Sequence, residues 1–181
     1  ALAWVSQKRG SGSFTTDFGL AVRLQDAAYI FLGMLLLLAL GFALTPLAEL
    51  LGADETPQVT TEAISMVVDL PTQIMIVLTV AIVTPVVEEL TFRGLLLRYL
   101  EERMNPRRAL LLSAVLFGAF HVLGTNGTAG AVIAMVQTFL AGLVLAYVTQ
   151  KSGKLSRAIF IHGGFNLITV IALFLFPDLA V

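Results

Sequence analysis

The chain has no cysteine and carries little charge. With no cysteine among its 181 residues, disulfides, thiolate metal ligands and a cysteine nucleophile are excluded together. Only 13% of the residues are charged, whereas 57% are hydrophobic, and the mean hydropathy is +0.91. A soluble domain is about half apolar and about a quarter charged. These values predict an integral membrane protein with one domain, and the net charge of −1 argues against a nucleic-acid partner.

Two regions are expected along the chain, without internal repeats or low-complexity tracts. Residues 1–25 lack a long apolar run and predict a polar N-terminal surface segment with a short interfacial helix. Residues 26–181 predict a membrane-embedded domain. The chain begins at Ala1 rather than at a methionine, so we expect that the natural protein has further N-terminal sequence.

Five hydrophobic runs predict five membrane spans. The expected spans cover about residues 27–44, 71–104, 109–123, 129–148 and 158–176. Pro46 is expected to end the first span and Pro85 to kink the second. The second run is too long for one crossing at about 1.5 Å per residue, so we expect it to continue as an interfacial helix. The predicted fold is an all-α polytopic transmembrane helical bundle.

The basic residues support this arrangement. If the N-terminal segment is cytoplasmic, ten of the eleven basic residues fall on the cytoplasmic side, and the acidic loop of residues 49–69 falls outside. The ten are Lys8, Arg9, Arg23, Arg98, Arg103, Arg107, Arg108, Lys151, Lys154 and Arg157. Membrane proteins place basic loops inside. The asymmetry predicts an integral membrane protein, of the plasma membrane, with a cytoplasmic N-terminal segment.

Three ionisable residues interrupt the second hydrophobic run, in the stretch "TPVVEELTFRG" of residues 84–94. Charged side chains at the centre of a membrane helix cost roughly 2.5–3.5 kcal/mol each on insertion scales. Glu89 and Arg93 are four residues apart and can pair along one helical face. Glu88 has Phe92 at the corresponding position and needs a partner from another helix.

The chain's two histidines are the candidate partners. His121 ends the stretch "FGAFH" and follows Phe117 by four residues, and His162 precedes Asn166 by four. Helix rise places Glu88 and both histidines between the cytoplasmic interface and a level just past the midplane. Intramembrane ionisable residues are functional by default. We therefore predict one intramembrane polar cavity that contains these side chains.

A carboxylate, two imidazoles and a carboxamide fit hydrolysis of an amide or ester. The carboxylate can take a proton from water, and imidazole or carboxamide groups can donate to an oxyanion. HExxH, GxSxG and paired membrane aspartates are missing from the sequence, which argues against zinc, serine and aspartyl intramembrane proteases. Glu88, His121 and His162 could also hold a divalent metal such as zinc, but we rank this below a water site.

Taken together, the motifs resemble a known family. Glu88-Glu89-xxx-Arg93, Phe117-xxx-His121 and His162-xxx-Asn166 are similar to the three ordered motifs of the CPBP family. These are the CAAX proteases and bacteriocin-processing enzymes, also called the Abi family. The resemblance covers residues 70–176, and the seven motif positions show no departure. It implies a polytopic membrane protease, and it leaves metal dependence unresolved because some members have been described as metalloproteases.

The resemblance also implies a role for each residue. Glu88 and His121 would activate the attacking water, and His162 and Asn166 would form the oxyanion hole. Glu89, Arg93 and Phe117 would hold the catalytic groups in position without reacting themselves. The implied function is an intramembrane endopeptidase that acts on a membrane-associated, prenylated or peptide substrate.

Two alternatives remain at this point. The chain could be a non-catalytic scaffold or accessory subunit of a larger membrane protein complex that retains the motifs, because motifs do not guarantee activity. A proton or ion pathway is the third reading. It is disfavoured because only Thr125, Asn126 and Thr128 continue a polar route beyond His121.

Overall fold

The computed structural model describes residues 10–53, 66–125 and 127–176. These residues form helices, and no strand occurs among them. In chain order the helices are α1 (Phe14–Asp17), α2 (Ala28–Leu51), α3 (Leu70–Glu101), α4 (Pro106–His121), α5 (Thr128–Ser152) and α6 (Leu155–Leu175). A 3₁₀ turn, Leu24–Ala27, leads directly into α2. The predicted all-α fold is confirmed.

Four helical stretches are long and apolar enough to cross a membrane. They are Leu24–Leu51, Leu70–Glu101, α5 and α6. The remaining expected span corresponds to α4, which has 16 residues and a length of about 24 Å, against a hydrocarbon core of about 30 Å. A 3₁₀ turn over Val122–Gly124 extends α4 at its C-terminal end.

Pro46 does not end the first span, contrary to the prediction. Helix α2 continues through Pro46 to Leu51 and ends at Gly52, whose φ of 62° gives a left-handed cap. Next to the proline, the Thr45 hydroxyl donates to the carbonyl oxygen of Gly41 at 3.0 Å. Pro46 itself removes the hydrogen bond to the carbonyl oxygen of Phe42, four residues earlier, and membrane helices tolerate such prolines through local backbone adjustment.

Helix α3 passes Pro85 without a break. Asp69 precedes it as the N-cap residue, and its carboxylate accepts from Thr72 N at 2.9 Å. The side chain and backbone of Thr72 hold the pKa of Asp69 below its usual range. Two segments, Thr79–Val83 and Leu90–Leu97, have π-helical hydrogen bonding. The wider turns change which backbone carbonyls are available around the ionisable residues of α3.

Helices α2 and α6 approach each other through glycines. A Cβ atom at Gly33 would overlap the carbonyl oxygen of Ile161, and one at Gly164 would overlap that of Ile30. Small residues allow membrane helices to pack closely, because van der Waals contact replaces the hydrophobic driving force there. This contact positions His162, which lies on α6 next to the glycine pair 163–164.

Polar contacts gather at one end of the bundle. The fully buried Asp26 carboxylate lies 3.3 Å from Lys154 Nζ and 3.2 Å from Arg157 Nε. Gln150 donates to Glu101 at 2.7 Å. The start of α2, the end of α3, the end of α5 and the start of α6 therefore lie together. At least six basic residues belong to this end, which agrees with the sorting of charge in the sequence: Arg98, Arg107, Arg108, Lys151, Lys154 and Arg157.

The described part of the N-terminal segment packs on this same end. Phe18 is buried against Gly94, and Arg98 lies over its ring while donating to the carbonyl oxygen of Asp17. Gly19 accepts from Ser156 N at 3.2 Å. Residues 1–9 of the expected surface segment, and residues 54–65 of the expected acidic loop, lie outside the described residues.

Candidate active site

Glu89 and Arg93 form the buried ion pair that their spacing predicts. Arg93 Nη1 is 2.9 Å from Glu89 Oε1, and both side chains have no solvent exposure. Arg93 also donates to the carbonyl oxygen of Gly142 at 3.1 Å, and its Cζ lies 4.2 Å from the centroid of the Phe117 ring. The pair therefore links α3 with α4 and α5, and its burial makes each partner dependent on the other.

Glu89 has a second partner that the spacing did not reveal. Its Oε1 lies 2.9 Å from His162 Nδ1, so one carboxylate oxygen contacts both Arg93 and His162. A carboxylate can only accept, so the His162 ring presents its Nδ1–H to Glu89. The contact fixes the ring and directs Nε2 away from Glu89.

Glu88 lies between the two histidines. Its Oε2 is 3.6 Å from His121 Nε2 and 3.7 Å from His162 Nε2. The Glu88 side chain is 16% exposed, His121 27% and His162 7%. The structure thus brings together the three ionisable groups that the sequence predicted to share a site, from α3, α4 and α6.

Phe117 orients His121. The Phe117 carbonyl oxygen is 2.9 Å from His121 Nδ1, and the two rings are 4.5 Å apart. A carbonyl accepts but cannot donate, so Nδ1 carries the hydrogen. In neutral His121, Nε2 therefore presents a lone pair toward Glu88. The four-residue spacing brings the carbonyl oxygen and the ring of Phe117 against His121. The Phe117 ring also contacts the guanidinium of Arg93.

Asn166 contacts α3 through an unusual backbone position. Its Nδ2 donates to the carbonyl oxygen of Val80 at 2.9 Å. Val80 lies in the π-helical segment Thr79–Val83, and Pro85 lacks the N–H that would bond to Ala81 four residues earlier. A Cβ atom at Gly163 would lie 2.7 Å from the Ala81 oxygen. One local contact between α3 and α6 therefore includes Pro85 and the π-helical segment on α3, and Gly163 and Asn166 on α6.

A cavity of about 350 Å³ adjoins these side chains. Helices α2, α4, α5 and α6 supply its walls, and both histidines and Asn166 lie on them. Its other polar lining residues are Gln137, Thr138 and Thr169. The volume falls in the usual range of small-ligand sites. Gln137 was not anticipated from the sequence, although it is an uncharged polar residue inside an apolar run.

Several polar atoms at the site have no hydrogen-bond partner among the described residues. They are Glu88 Oε2, Glu89 Oε2 and Arg93 Nε, and all three are buried. An unsatisfied buried polar atom costs roughly 1–3 kcal/mol. Glu88 Oε2 faces two imidazole nitrogens that are just beyond hydrogen-bond reach. A water molecule at this position would donate a hydrogen bond to Glu88 Oε2.

No group of three His, Cys, Asp or Glu side chains in the described part of the chain has an arrangement able to hold a metal ion. Glu88, His121 and His162, the set named for a metal in the sequence, are therefore not such a group, although Glu88 Oε2 lies 3.6 and 3.7 Å from the two histidine Nε2 atoms.

The chain was compared with known proteins. The family model for type II CAAX prenyl endopeptidase, Rce1-like, matches residues 70–168. The matched residues run from the start of α3 into α6 and contain all three motifs. No curated protein and no solved structure matches the chain significantly.

Proposed function

The chain belongs to the Rce1-like family of type II CAAX prenyl endopeptidases, and from this premise we propose a specific hydrolytic mechanism and site for it. Family membership, which confirms the resemblance seen in the sequence, and the four apolar helices support a membrane-embedded endopeptidase that acts on a protein or peptide substrate. We propose that the substrate is a prenylated CAAX peptide.

The proposal depends chiefly on one observation: two imidazole Nε2 atoms face the same unsatisfied oxygen of Glu88, 3.6 and 3.7 Å away. These distances leave room for a water molecule that contacts all three groups from the cavity side. Glu88 is the general base, and His121 Nε2 assists by accepting a hydrogen bond from the water. General-base catalysis of this kind contributes about 10²–10⁴-fold in rate.

In the reaction, the water oxygen attacks the scissile carbonyl carbon while its proton passes to Glu88. The carbonyl oxygen gains negative charge in the tetrahedral intermediate. His162, in the form that carries both ring hydrogens, donates to this oxygen through Nε2. The second N–H of Asn166 Nδ2, which the Val80 contact leaves free, supplies the other donor. The proton on Glu88 then moves to the departing amine as the C–N bond breaks.

Glu89 and Arg93 are positioning residues in this proposal. Glu89 contacts the His162 ring from the side opposite Glu88, and Arg93 neutralises the buried Glu89 charge. Catalysis needs supporting groups that hold the reacting ones in place, because small displacements reduce rate strongly. The unequal roles of the adjacent glutamates follow from their contacts. The Glu89 side chain has no solvent exposure, whereas Glu88 is 16% exposed and lies beside the two histidines that line the cavity.

We also propose that the basic end of the bundle is cytoplasmic and that the protein resides in the plasma membrane. The support is the clustering of basic side chains at the end where α2 and α6 begin and α3 and α5 end. Basic loops remain on the cytoplasmic side during insertion.

The test of the mechanism is Glu88→Gln, assayed with an internally quenched farnesylated CAAX peptide in proteoliposomes. Gln keeps the shape of the side chain and removes the base, so we expect cleavage to fall at least about 100-fold with an unchanged unfolding midpoint. Retention of full activity would refute the assignment of Glu88. A wild-type protein that binds partners but never cleaves the peptide would favour the scaffold alternative.

A further inference from the structure

The N-terminal segment contacts both helices that supply the two glutamates and the oxyanion donors. Helix α3 carries Glu88 and Glu89, and α6 carries His162 and Asn166. The contacts with these helices come from residues 17–26, which we call the N-terminal clasp. The clasp precedes residues 70–168, which the family model matches, and the proposed mechanism uses none of its residues. Its contacts therefore need a separate explanation.

Phe18 connects the clasp to α3. Its side chain is buried, and a Cβ atom at Gly94 would lie 3.3 Å from Phe18 Cδ1 and 3.5 Å from Leu155 Cδ2. The Phe18 ring therefore lies against the backbone of α3, at the place where the first residue of α6 also meets that helix. Arg98 covers the ring, with its Cζ 5.3 Å from the ring centroid. Gly94 is five residues from Glu89, which is about 7.5 Å along the helix.

The clasp also completes the start of α6. The first N–H groups of a helix need acceptors from outside the helix, and the N-cap residue Lys154 makes no capping bond through its side chain. The clasp supplies an acceptor, since Gly19 O accepts from Ser156 N at 3.2 Å. Ala21 O also accepts from the Ser156 hydroxyl at 3.3 Å. Gly19 has a φ of 63°, and a Cβ atom there would overlap Gly153 O, so this close approach requires glycine.

A buried carboxylate adds an ionic contact between the clasp and α6. Asp26 has no solvent exposure, and its oxygens lie 3.3 Å from Lys154 Nζ and 3.2 Å from Arg157 Nε. Asp26 also accepts from Arg23 N at 2.9 Å, which holds the carboxylate within the clasp. Removing one partner of a buried ion pair leaves the others uncompensated, so these contacts fix the start of α6. Arg157 is five residues, about 7.5 Å of helix, from His162.

We propose that the N-terminal clasp sets the position of α6 against α3, and that Phe18 and Asp26 are positioning residues for His162. This inference rests on the proposed function, because it concerns the same catalytic groups. His162 Nδ1 lies 2.9 Å from Glu89 Oε1, and its Nε2 lies 3.7 Å from Glu88 Oε2. A shift or rotation of α6 against α3 changes both distances at once. Small displacements of this kind reduce the rate of a reaction strongly.

The first experiment observes the His162 ring directly and needs no turnover. The chain has only two histidines, so protein with ¹⁵N-labelled imidazoles, in detergent micelles, gives NMR signals from two rings. A His121→Gln protein identifies the His162 signals by elimination. In Phe18→Ala, which removes the buried ring, we expect the folded protein to show a shifted His162 Nδ1 signal and faster exchange of its hydrogen with water. The His121 signals should move less, because His121 is held within α4 by the Phe117 carbonyl.

The second experiment measures cleavage of a farnesylated CAAX peptide. Phe18→Ala should lower kcat about tenfold and change KM little, because a donor to the oxyanion acts in the transition state. Phe18→Met, which keeps most of the buried apolar volume, should restore both kcat and the His162 signals. Asp26→Asn keeps the shape of the side chain and removes its charge, so it should shift the His162 signals and lower kcat in the same way. This variant carries the test if Phe18→Ala does not fold.

Leu100→Ala is the matched control for loss of stability. Leu100 is buried and packs with Leu97, Ala109 and Ala146, at the same end of the bundle but between α3, α4 and α5. Truncation of a large buried side chain destabilises a protein wherever it occurs, so the unfolding midpoint should fall about as much as in Phe18→Ala. We expect the His162 signals and kcat of Leu100→Ala to stay at their wild-type values.

The inference is overturned if the His162 signals of the folded Phe18→Ala and Asp26→Asn proteins stay at the wild-type positions, or if Leu100→Ala shifts them equally. Shifted signals with an unchanged kcat in the active protein would also overturn it. The proposed function fails separately, if the Glu88→Gln protein cleaves the peptide at the wild-type rate. Shifted His162 signals in a protein that never cleaves would support the clasp and reject the hydrolytic mechanism.

Discussion

Nδ1 of His162 lies 2.9 Å from Oε1 of Glu89, whose side chain has no solvent exposure. This oxygen also pairs with Arg93. Glu89 therefore has two functions. It offsets the charge of a buried arginine, which concerns stability, and it orients a histidine that faces Glu88, which concerns chemistry.

The first prediction concerns Glu89→Gln. Removing the charge leaves Arg93 buried without its counterion, and breaking a buried pair costs about 3–5 kcal/mol. The His162 ring also loses its carboxylate partner. We expect a clearly lower unfolding free energy, measured by denaturant titration in detergent micelles, and loss of peptide cleavage in the fraction that remains folded.

Glu102→Gln is the control for that variant. Glu102 lies 3.5 Å from Arg103, and both side chains are about half exposed or more. Exposed pairs contribute roughly 0–1 kcal/mol, so stability and cleavage should remain near the wild-type values. Equal effects of Glu89→Gln and Glu102→Gln would contradict the role assigned to the buried pair.

Much of the site could be predicted from residue types and helical spacing. The Glu89–Arg93 pair follows from a separation of four residues. The meeting of Glu88 with both histidines follows from the cost of burying ionisable groups alone. The spacing of residues along the sequence does not predict how α3 and α6 are rotated relative to each other. The contact of Glu89 with His162 depends on that rotation.

Backbone behaviour in the membrane accounts for other differences. Pro46 was expected to end α2 because proline removes a hydrogen bond, but the helix continues to Leu51. Likewise, the Val80 carbonyl that accepts from Asn166 lies in a π-helical segment of α3. The sequence contains no pattern that predicts a π-helical turn. Pro85, just after the π-helical segment Thr79–Val83, predicts only that the backbone hydrogen bonding is disturbed there.

The second prediction concerns Asn166→Leu. The variant removes a donor from Val80 O and, in the proposed mechanism, a donor to the oxyanion. Loss of one such donor costs about 10²–10³ in kcat. We expect that decrease, with a modest loss of stability from the unsatisfied carbonyl. Steady-state kinetics with the farnesylated CAAX peptide give kcat and KM separately.

Gln73→Leu provides the comparison for Asn166. Gln73 Nε2 donates to the Val67 carbonyl oxygen at 2.9 Å, the same kind of bond, near the start of α3 and away from both histidines. We expect little change in kcat. If Asn166→Leu loses stability but no more kcat than Gln73→Leu, Asn166 is a packing residue and the oxyanion role is wrong.

The third prediction concerns the glycine contact of α2 and α6. Gly33→Ala and Gly164→Ala would each place a methyl group against the carbonyl oxygen of the opposite helix. Forcing extra volume into a packed interface costs about 1–3 kcal/mol, so both unfolding free energies should fall. Gly41→Ala, whose added Cβ meets open space, should be neutral or slightly stabilising. Unchanged unfolding free energies in all three variants would show that α2 and α6 do not approach each other this closely.

The fourth prediction concerns orientation, and the lack of native cysteine makes it simple to test. Single cysteines are introduced by Lys151→Cys, at the basic end of the bundle, and by Thr128→Cys, at the opposite end where α5 begins. Both positions are exposed. In intact cells, a membrane-impermeant maleimide should label position 128 and spare position 151, because basic loops stay cytoplasmic. Permeabilised cells should show labelling of both. The reverse pattern in intact cells would invert the proposed topology, and labelling of both positions in sealed cells would show that α5 does not span the membrane.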